Sequence, residues 1–267
     1  MGCSPLQVKE AIILAAGYGT RIRDIAKDTP KPLLKVFNIP LIVYPIANFL
    51  SAGVEKFYIV ANPHNYKAIK EFISKTNINA EFIVNKDPER GNGLSLILAM
   101  EHVNSKNFYL SMSDHIHSPK IIEKFSGYHG DVDIIVGADS NPTYINVDEA
   151  TKILVVNGEV VDIGKHLNRY THVDIGLFVM SKELYETFRR YSEKYYDVPL
   201  SKLIKYSVGE GFKVVALDVQ GSPWIDIDTI DDLNRINTIA RNVMNDIIKR
   251  LAKYINSIMK KASSLHS

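Results

Sequence analysis

The sequence predicts an α/β fold built on a mostly parallel mixed sheet flanked by helices, with a small β-rich region in the second half and a helix at the end. Three observations carry this. Apolar, β-branched runs alternate with stretches of helical periodicity through the first half, the pattern of βαβ units. The first apolar run, Ala11–Ala15, breaks at once into Gly17-Tyr18-Gly19-Thr20-Arg21. From Thr229 to about Ser263, apolar residues recur at helical spacing.

In order, strands are predicted at Ala11–Ala15, Phe57–Val60, Glu81–Val84 and Phe108–Met112, and helices at Leu41–Ala52, Tyr66–Ser74 and Leu94–His102. Pro40 and Asn65 are candidate helix starts, and Gly53 reads as a C-cap before the next strand. Asp131–Ala138 is a further strand. Two β-branched runs then flank Asn157-Gly158, the strongest hairpin signal in the chain. Val173–Met180 reads as a strand and Lys182–Tyr191 as a helix, and this half is expected to supply the second wall of a cleft.

The terminal stretch reads as one continuous helix, with Asp231 and Asp232 in its first turn. Ile239, Val243, Ile247, Leu251, Tyr254, Ile255 and Ile258 form an apolar stripe, with Arg241, Lys249, Arg250, Lys253, Lys260 and Lys261 elsewhere around the wheel. Such a helix packs on the body or on a twin subunit; the sharper reading is a basic helix resting on an anionic membrane or leading towards a partner domain. The expected division is a tail at 1–9, a main domain at 10–228 and a helical extension at 229–267.

Composition narrows the function. With Lys+Arg 32 against Asp+Glu 30, the charge of +2 gives no general argument for nucleic-acid binding. The single cysteine, Cys3, excludes a disulfide framework within one chain and points to an intracellular, cytoplasmic protein. No apolar run approaches the roughly twenty residues of a membrane span. Met1-Gly2-Cys3-Ser4 invites a lipidation reading, but Leu6 stands where the myristoylation motif wants Ser or Thr.

The chemistry centres on Ile12–Leu34. Glycines let backbone N–H groups approach phosphate oxygens, and Arg21 and Lys31, the latter between Pro30 and Pro32, supply cations. Gly17 and Gly19 fit only the start of a dinucleotide fingerprint, because Ile22 occupies the position of its third glycine, and no P-loop is present. Asp114 closes the strand Phe108–Met112, at the strand end where open α/β sheets bind ligands; it also fits an N-cap ahead of Ser118-Pro119. Asp226, Lys165 and Asp174 read equally as turn or surface residues when taken one at a time.

The run LAAGYGTRIRD followed by TPKPLL resembles the signature of the sugar-phosphate nucleotidyltransferases. The resemblance spans about residues 10 to 237 and implies a Rossmann-like nucleotidyltransferase fold of the GT-A kind. It implies that Leu14, Ala15, Ala16, Gly17, Gly19, Thr20 and Arg21 cradle the nucleotide, with Asn92, Gly93 and Ser95 in a base-reading turn. It makes Asp114, in Ser113-Asp114, and Asp226, in Trp224-Ile225-Asp226-Ile227-Asp228-Thr229, ligands of Mg²⁺, with Asp228 a further candidate in place of the commoner glycine. Arg21, Lys31 and Lys165 take the catalytic roles, and Glu149, Lys165, Asp174 and Gly176 face the acceptor.

Glu89–Gly93, Ser113–His115, Glu149–Ile153, Ile163–Lys165 and Trp224–Thr229 narrow the resemblance to the CTP:inositol-1-phosphate cytidylyltransferase branch. That branch implies CTP and a phosphorylated polyol as substrates. In it the module is often fused to a membrane-embedded synthase, and the synthase motif is absent from this sequence. The second activity is therefore expected to be absent from this polypeptide. Association with such a synthase is a further expectation of the resemblance, and a homodimer is one reading of the terminal helix. The alternatives are a transferase for a sugar 1-phosphate or phosphocholine, and a catalytically silent nucleotide-binding regulatory subunit. A phosphate monoester is already anionic near neutral pH, so no catalytic histidine is required, and the eight histidines, His115 included, are expected to be structural or solvent-facing.

Overall fold

The computed structural model describes residues 7–22 and 28–263; Cys3, with the lipidation motif, lies outside them. The chain runs from β1 (Glu10–Ala15) through the short strands β2 (Lys35–Val36) and β3 (Ile39–Pro40) into α1 (Val43–Ser51), then β4 (Lys56–Ala61), α2 (Tyr66–Ser74), β5 (Ala80–Val84), α3 (Asn92–Met100) and β6 (Asn107–Met112). There follow β7 (His115–His117), α4 (Pro119–Ser126), β8 (Ile134–Asp139), the hairpin β9 (Lys152–Val156) and β10 (Glu159–Gly164), and β11 (His172–Ser181). The remainder is α5 (Tyr185–Lys194), α6 (Leu200–Gly209), β12 (Val214–Asp218), β13 (Trp224–Asp226), α7 (Ile230–Thr238) and α8 (Arg241–Ser263).

One sheet of order β5-β4-β1-β6-β11-β8-β12-β10-β9 organises the chain. β5, β4, β1 and β6 form a wholly parallel half. β11 runs antiparallel to both β6 and β8 and joins the two halves into one surface. The later β-rich region is therefore an extension of the same sheet. Every residue of β1 is buried, as befits a central parallel strand covered on both faces. Alternate residues feed two cores: Ile13, Phe57 and Tyr109 face the side covered by α1, while Ile12, Tyr58 and Leu110 face α3 and α6.

Asn157 (φ 51°) and Gly158 (φ 83°) are both left-handed, as a two-residue hairpin turn requires. Two expected boundaries move. Phe37 (φ 51°) and Asn38 (φ 63°) form a second such turn, so Pro40 ends a strand and the helix begins only at Val43. The terminal helix is not continuous: it breaks at Ile239–Ala240, where both N–H groups turn back to the Arg235 carbonyl. The break resets the phase of the stripe. Ile236, Ala240, Met244, Ile247, Leu251, Ile255 and Ile258 are buried, whereas Ile239 is 72% exposed. α8 packs on α1 and α4, so this helix covers the body of the same chain. No helix among the described residues is long and apolar enough to cross a membrane.

Candidate active site

The site lies at the carboxyl ends of β1 and β6, where an open α/β sheet leaves room for ligands. Beyond Ala15 the chain turns through Gly17 and Gly19. The carbonyls of Ala15 and Ala16 accept from Asn65 Nδ2 (2.8 Å) and Asn62 Nδ2 (2.9 Å). The N–H groups of Gly17, Tyr18 and Gly19 have no backbone acceptor among the described residues. A loop whose carbonyls are engaged and whose N–H groups are open suits an anion. Gly19 has φ 60°, and a Cβ there would lie 2.9 Å from Lys31 Cβ, so the loop closes directly on Lys31.

Lys31 opens a 3₁₀ turn (Lys31–Leu33) with prolines on either side that restrict its backbone. Its Nζ donates to Asp114 Oδ2 and to Asp228 Oδ1, each at 2.5 Å, and its side chain is 9% exposed. Burial disfavours the ammonium, but the two carboxylates outweigh burial and hold its pKa well above the ordinary lysine range. Arg21 donates to Glu149 Oε2 at 3.0 Å and also to Asp228.

Asp114 leads from β6 into β7, which pairs antiparallel with β13 so that His115 lies opposite Asp226. This three-residue ribbon is what joins the two distant aspartates. It is pinned by Trp224, whose Nε1 donates to the buried Asp139 Oδ2 (2.8 Å) and whose ring stacks near-parallel on His115. Asp228 is set by α7: the N–H groups of Asp228 and Thr229 donate to Asp232 Oδ2 (3.0 and 2.8 Å), and Thr229 and Asp232 form a capping box.

Asp114, His115 and Asp226 each offer an atom within 4.8 Å of the others. His115 Nδ1 lies 2.9 Å from Asp114 Oδ1 and 3.8 Å from Asp226 Oδ1. Asp226 Oδ1 is buried without a hydrogen-bond partner. Burial pushes this carboxyl well above the ordinary range, with His115 opposing and Asp114 and Asp228 adding. Asp114 shifts the other way, because Lys31 and His115 outweigh its burial. A buried carboxylate oxygen lacking a donor, beside a second carboxylate, is a fit for a hard divalent cation that takes oxygen ligands.

The opposite wall comes from the second half. Asp174 begins a register shift in β11, and its Oδ1 accepts the Gly176 N–H (2.8 Å); burial pushes its carboxyl up to about 6. Lys165, just past β10, is exposed and has no ion-pair partner among the described residues. Gly176 (φ 70°) passes so close to His115 that a Cβ would lie 2.6 Å from the ring.

These groups line one cavity of about 870 Å³. Leu14, Ala15, Ala16, Gly17, Gly19, Thr20 and Arg21 line it, as do Asn92 and Ser95, Glu149, Lys165, Asp174 and Gly176, and Lys31, Asp114, Asp226 and Asp228. Gly93 does not: its Cβ position falls 2.5 Å from the Val198 carbonyl, so this glycine allows the 198–200 segment to pack on α3. Asn92 lines the cavity, but its amide oxygen already accepts the Leu200 N–H (2.8 Å). His115 is not solvent-facing: it stands between the carboxylates of Asp114 and Asp226 and stacks on Trp224. Sequence reasoning also missed Lys202 and Lys205, which line the cavity from α6; Pro199 ahead of Leu200 was the available helix-start signal.

The chain belongs to the nucleotidyl transferase family, whose profile matches residues 10–242. Among its relatives it is 34% identical over 232 residues to the bifunctional IPC transferase and DIPP synthase of Archaeoglobus fulgidus, covering 87% of this chain and 44% of that one. It is 36% identical over 228 residues to the protein of that name from Thermococcus kodakarensis, covering 85% and 49%. The structure of the inositol-1-phosphate CTP transferase from T. maritima superposes with a TM-score of 0.84 at 27% identity, over 92% of this chain and 98% of that one. The chain spans about half the length of the curated relatives it matches.

Proposed function

We propose that the chain transfers a cytidylyl group from CTP to inositol 1-phosphate, releasing pyrophosphate and forming CDP-inositol. The observation that carries this reading is the convergence of Lys31, Asp114, Asp226 and Asp228 beneath an open glycine loop, in a cavity whose far wall offers an unpaired lysine and two carboxylates. The similarity to transferases of inositol phosphate supports the choice of substrates.

In the proposed reaction an oxygen of the acceptor phosphate forms a bond to the α-phosphorus of CTP, and the bond from that phosphorus to the bridging oxygen breaks. Pyrophosphate leaves with the electron pair. The attacking oxygen is already anionic, so no side chain removes a proton. The glycine-loop N–H groups and Arg21 hold the β- and γ-phosphates, and Lys31 meets charge at the α-phosphate. Lys165 takes the acceptor phosphate, while Glu149 and Asp174 accept hydrogen bonds from the polyol hydroxyls. Asp114 and Asp226 are the residues that would hold Mg²⁺, with Asp228 adjacent. A bound Mg²⁺ would supply neutralisation of the triphosphate charge.

Binding trades partners. Lys31 and Arg21 are paired with carboxylates, so the triphosphate takes cations that already stand in place. A cytoplasmic location accords with CTP as substrate; a membrane-embedded synthase as partner follows from the resemblance alone, and a homodimer from the apolar stripe of the terminal helix alone. Pyrophosphate release measured for each nucleoside triphosphate against inositol 1-phosphate, a sugar 1-phosphate and phosphocholine tests the proposal. CTP with inositol 1-phosphate should exceed all other pairs, and a different best pair would replace it.

A further inference from the structure

Ser95 lies on α3, three residues after Asn92 and on the same side of the helix, and is 2% exposed although it lines the cavity. Behind it stands Asn85, fully buried in the segment after β5. The Asn85 amide oxygen accepts the Asp87 N–H at 2.9 Å, which settles the orientation of the amide. The other end, Nδ2, therefore donates to Ser95 Oγ, also at 2.9 Å.

A serine hydroxyl has one hydrogen and two lone pairs. Here one lone pair is committed to Asn85, and the hydrogen has no acceptor among the described residues. Ser95 is thus a buried donor with its proton left to give. The cavity lining includes the uncharged Leu14, Pro88, Asn92, Met112 and Leu200, and Asn92, three residues before Ser95 on the helix, ties Met112 and Leu200 together. A flat, uncharged nucleobase is the part of a nucleotide that such a lining fits.

We propose that Ser95, oriented by Asn85, determines base specificity by donating its hydroxyl proton to N3 of cytosine. The idea rests on the nucleotidyl-transfer reading given above. Cytosine presents a bare acceptor at N3, whereas uracil presents an N–H there. With uracil the hydroxyl has to turn its remaining lone pair to that N–H, which leaves its own hydrogen without an acceptor in a buried site, so CTP is favoured over UTP by the same group.

The test is the ratio of kcat/KM for CTP to that for UTP, with inositol 1-phosphate as acceptor. Wild type should prefer CTP. Ser95→Ala should lose about tenfold or more for CTP with little change for UTP, and Ser95→Thr should restore the preference. Asn85→Asp should move the preference towards UTP, because a carboxylate accepts the Ser95 proton and leaves a serine lone pair facing the base. If Asn85→Asp does not fold by circular dichroism, Ser95→Ala decides alone. A wild type that treats CTP and UTP alike overturns the proposal, as does a Ser95→Ala variant whose ratio is unchanged because both substrates fall together. If no nucleotide is turned over, nucleotidyl transfer itself fails; calorimetric binding of CMP and UMP then reads the same ratio, and equal affinities overturn the role of Ser95.

Discussion

Gly176→Ala adds one methyl group where β11 passes over the carboxylate cluster, and its cost has two parts. The backbone stands at φ 70°, a left-handed conformation that costs an L residue roughly 1–2 kcal/mol. The new Cβ would also lie 2.6 Å from His115 Cδ2 and 2.7 Å from Nε2. That ring is stacked on Trp224 and held 2.9 Å from Asp114, so it cannot swing aside without losing one of these contacts. Overpacking of this kind costs about 1–3 kcal/mol, for a sum of about 2–5 kcal/mol. Gly158→Ala is the reference. It has φ 83° but nothing within 4 Å of the Cβ position, so it carries only the backbone cost of roughly 1–2 kcal/mol. Urea unfolding with an unchanged m value reads both differences. Pyrophosphate release should fall about tenfold or more in Gly176→Ala through the displaced His115, and should stay near wild type in Gly158→Ala, which lies outside the cavity. Equal stability and equal activity in the two variants would refute the part given to the Gly176–His115 contact.

Leu251→Ala, a buried position on α8, should cost about 2–5 kcal/mol in urea unfolding; a change under about 0.5 kcal/mol would mean that this helix is not part of the core. Glu10 is buried, yet Ser105, Tyr58 and Asn104 donate to it and outweigh the burial, holding its carboxyl below the ordinary 4.5. A depressed carboxylate contributes stability above the unfolded pKa and loses it as the pH falls through the folded one. Glu10→Gln should therefore lose less stability than wild type between about pH 5 and about pH 3, and parallel acid limbs would contradict this.

The parts of the site that could be read in the sequence are those carried by one continuous segment. The glycine loop, Lys31 between its prolines, and Asp114 at a strand end each announce themselves through backbone chemistry within a few residues. The pairing of His115 with Asp226 does not, because β7 and β13 are three residues each and meet only after the sheet is built. The Arg21–Glu149 pair was hidden for the same reason, and so was the capping box that turns Asp228 towards Lys31. In the fold, the alternation of strand and helix marked the parallel half, where each βαβ unit is local. Helix α6 and strand β12 escaped because α6 mixes Lys202, Lys205 and Tyr206 into its apolar pattern, and β12 takes its place between β8 and β10 by long-range pairing. The break at Ile239 was invisible to periodicity, since Ile239 and Val243 continue an ideal stripe that the fold abandons for Ala240 and Met244.

Two aspartates, brought together by the β7–β13 ribbon, are proposed to hold the metal of a nucleotidyl transfer. The most direct measurement is Mg²⁺-dependent pyrophosphate release from CTP and inositol 1-phosphate by wild type and Asp226→Ala, with circular dichroism to show that both are folded. Asp226→Ala should lose about a hundredfold or more while its spectrum is unchanged. Turnover within a few-fold of wild type would contradict the account.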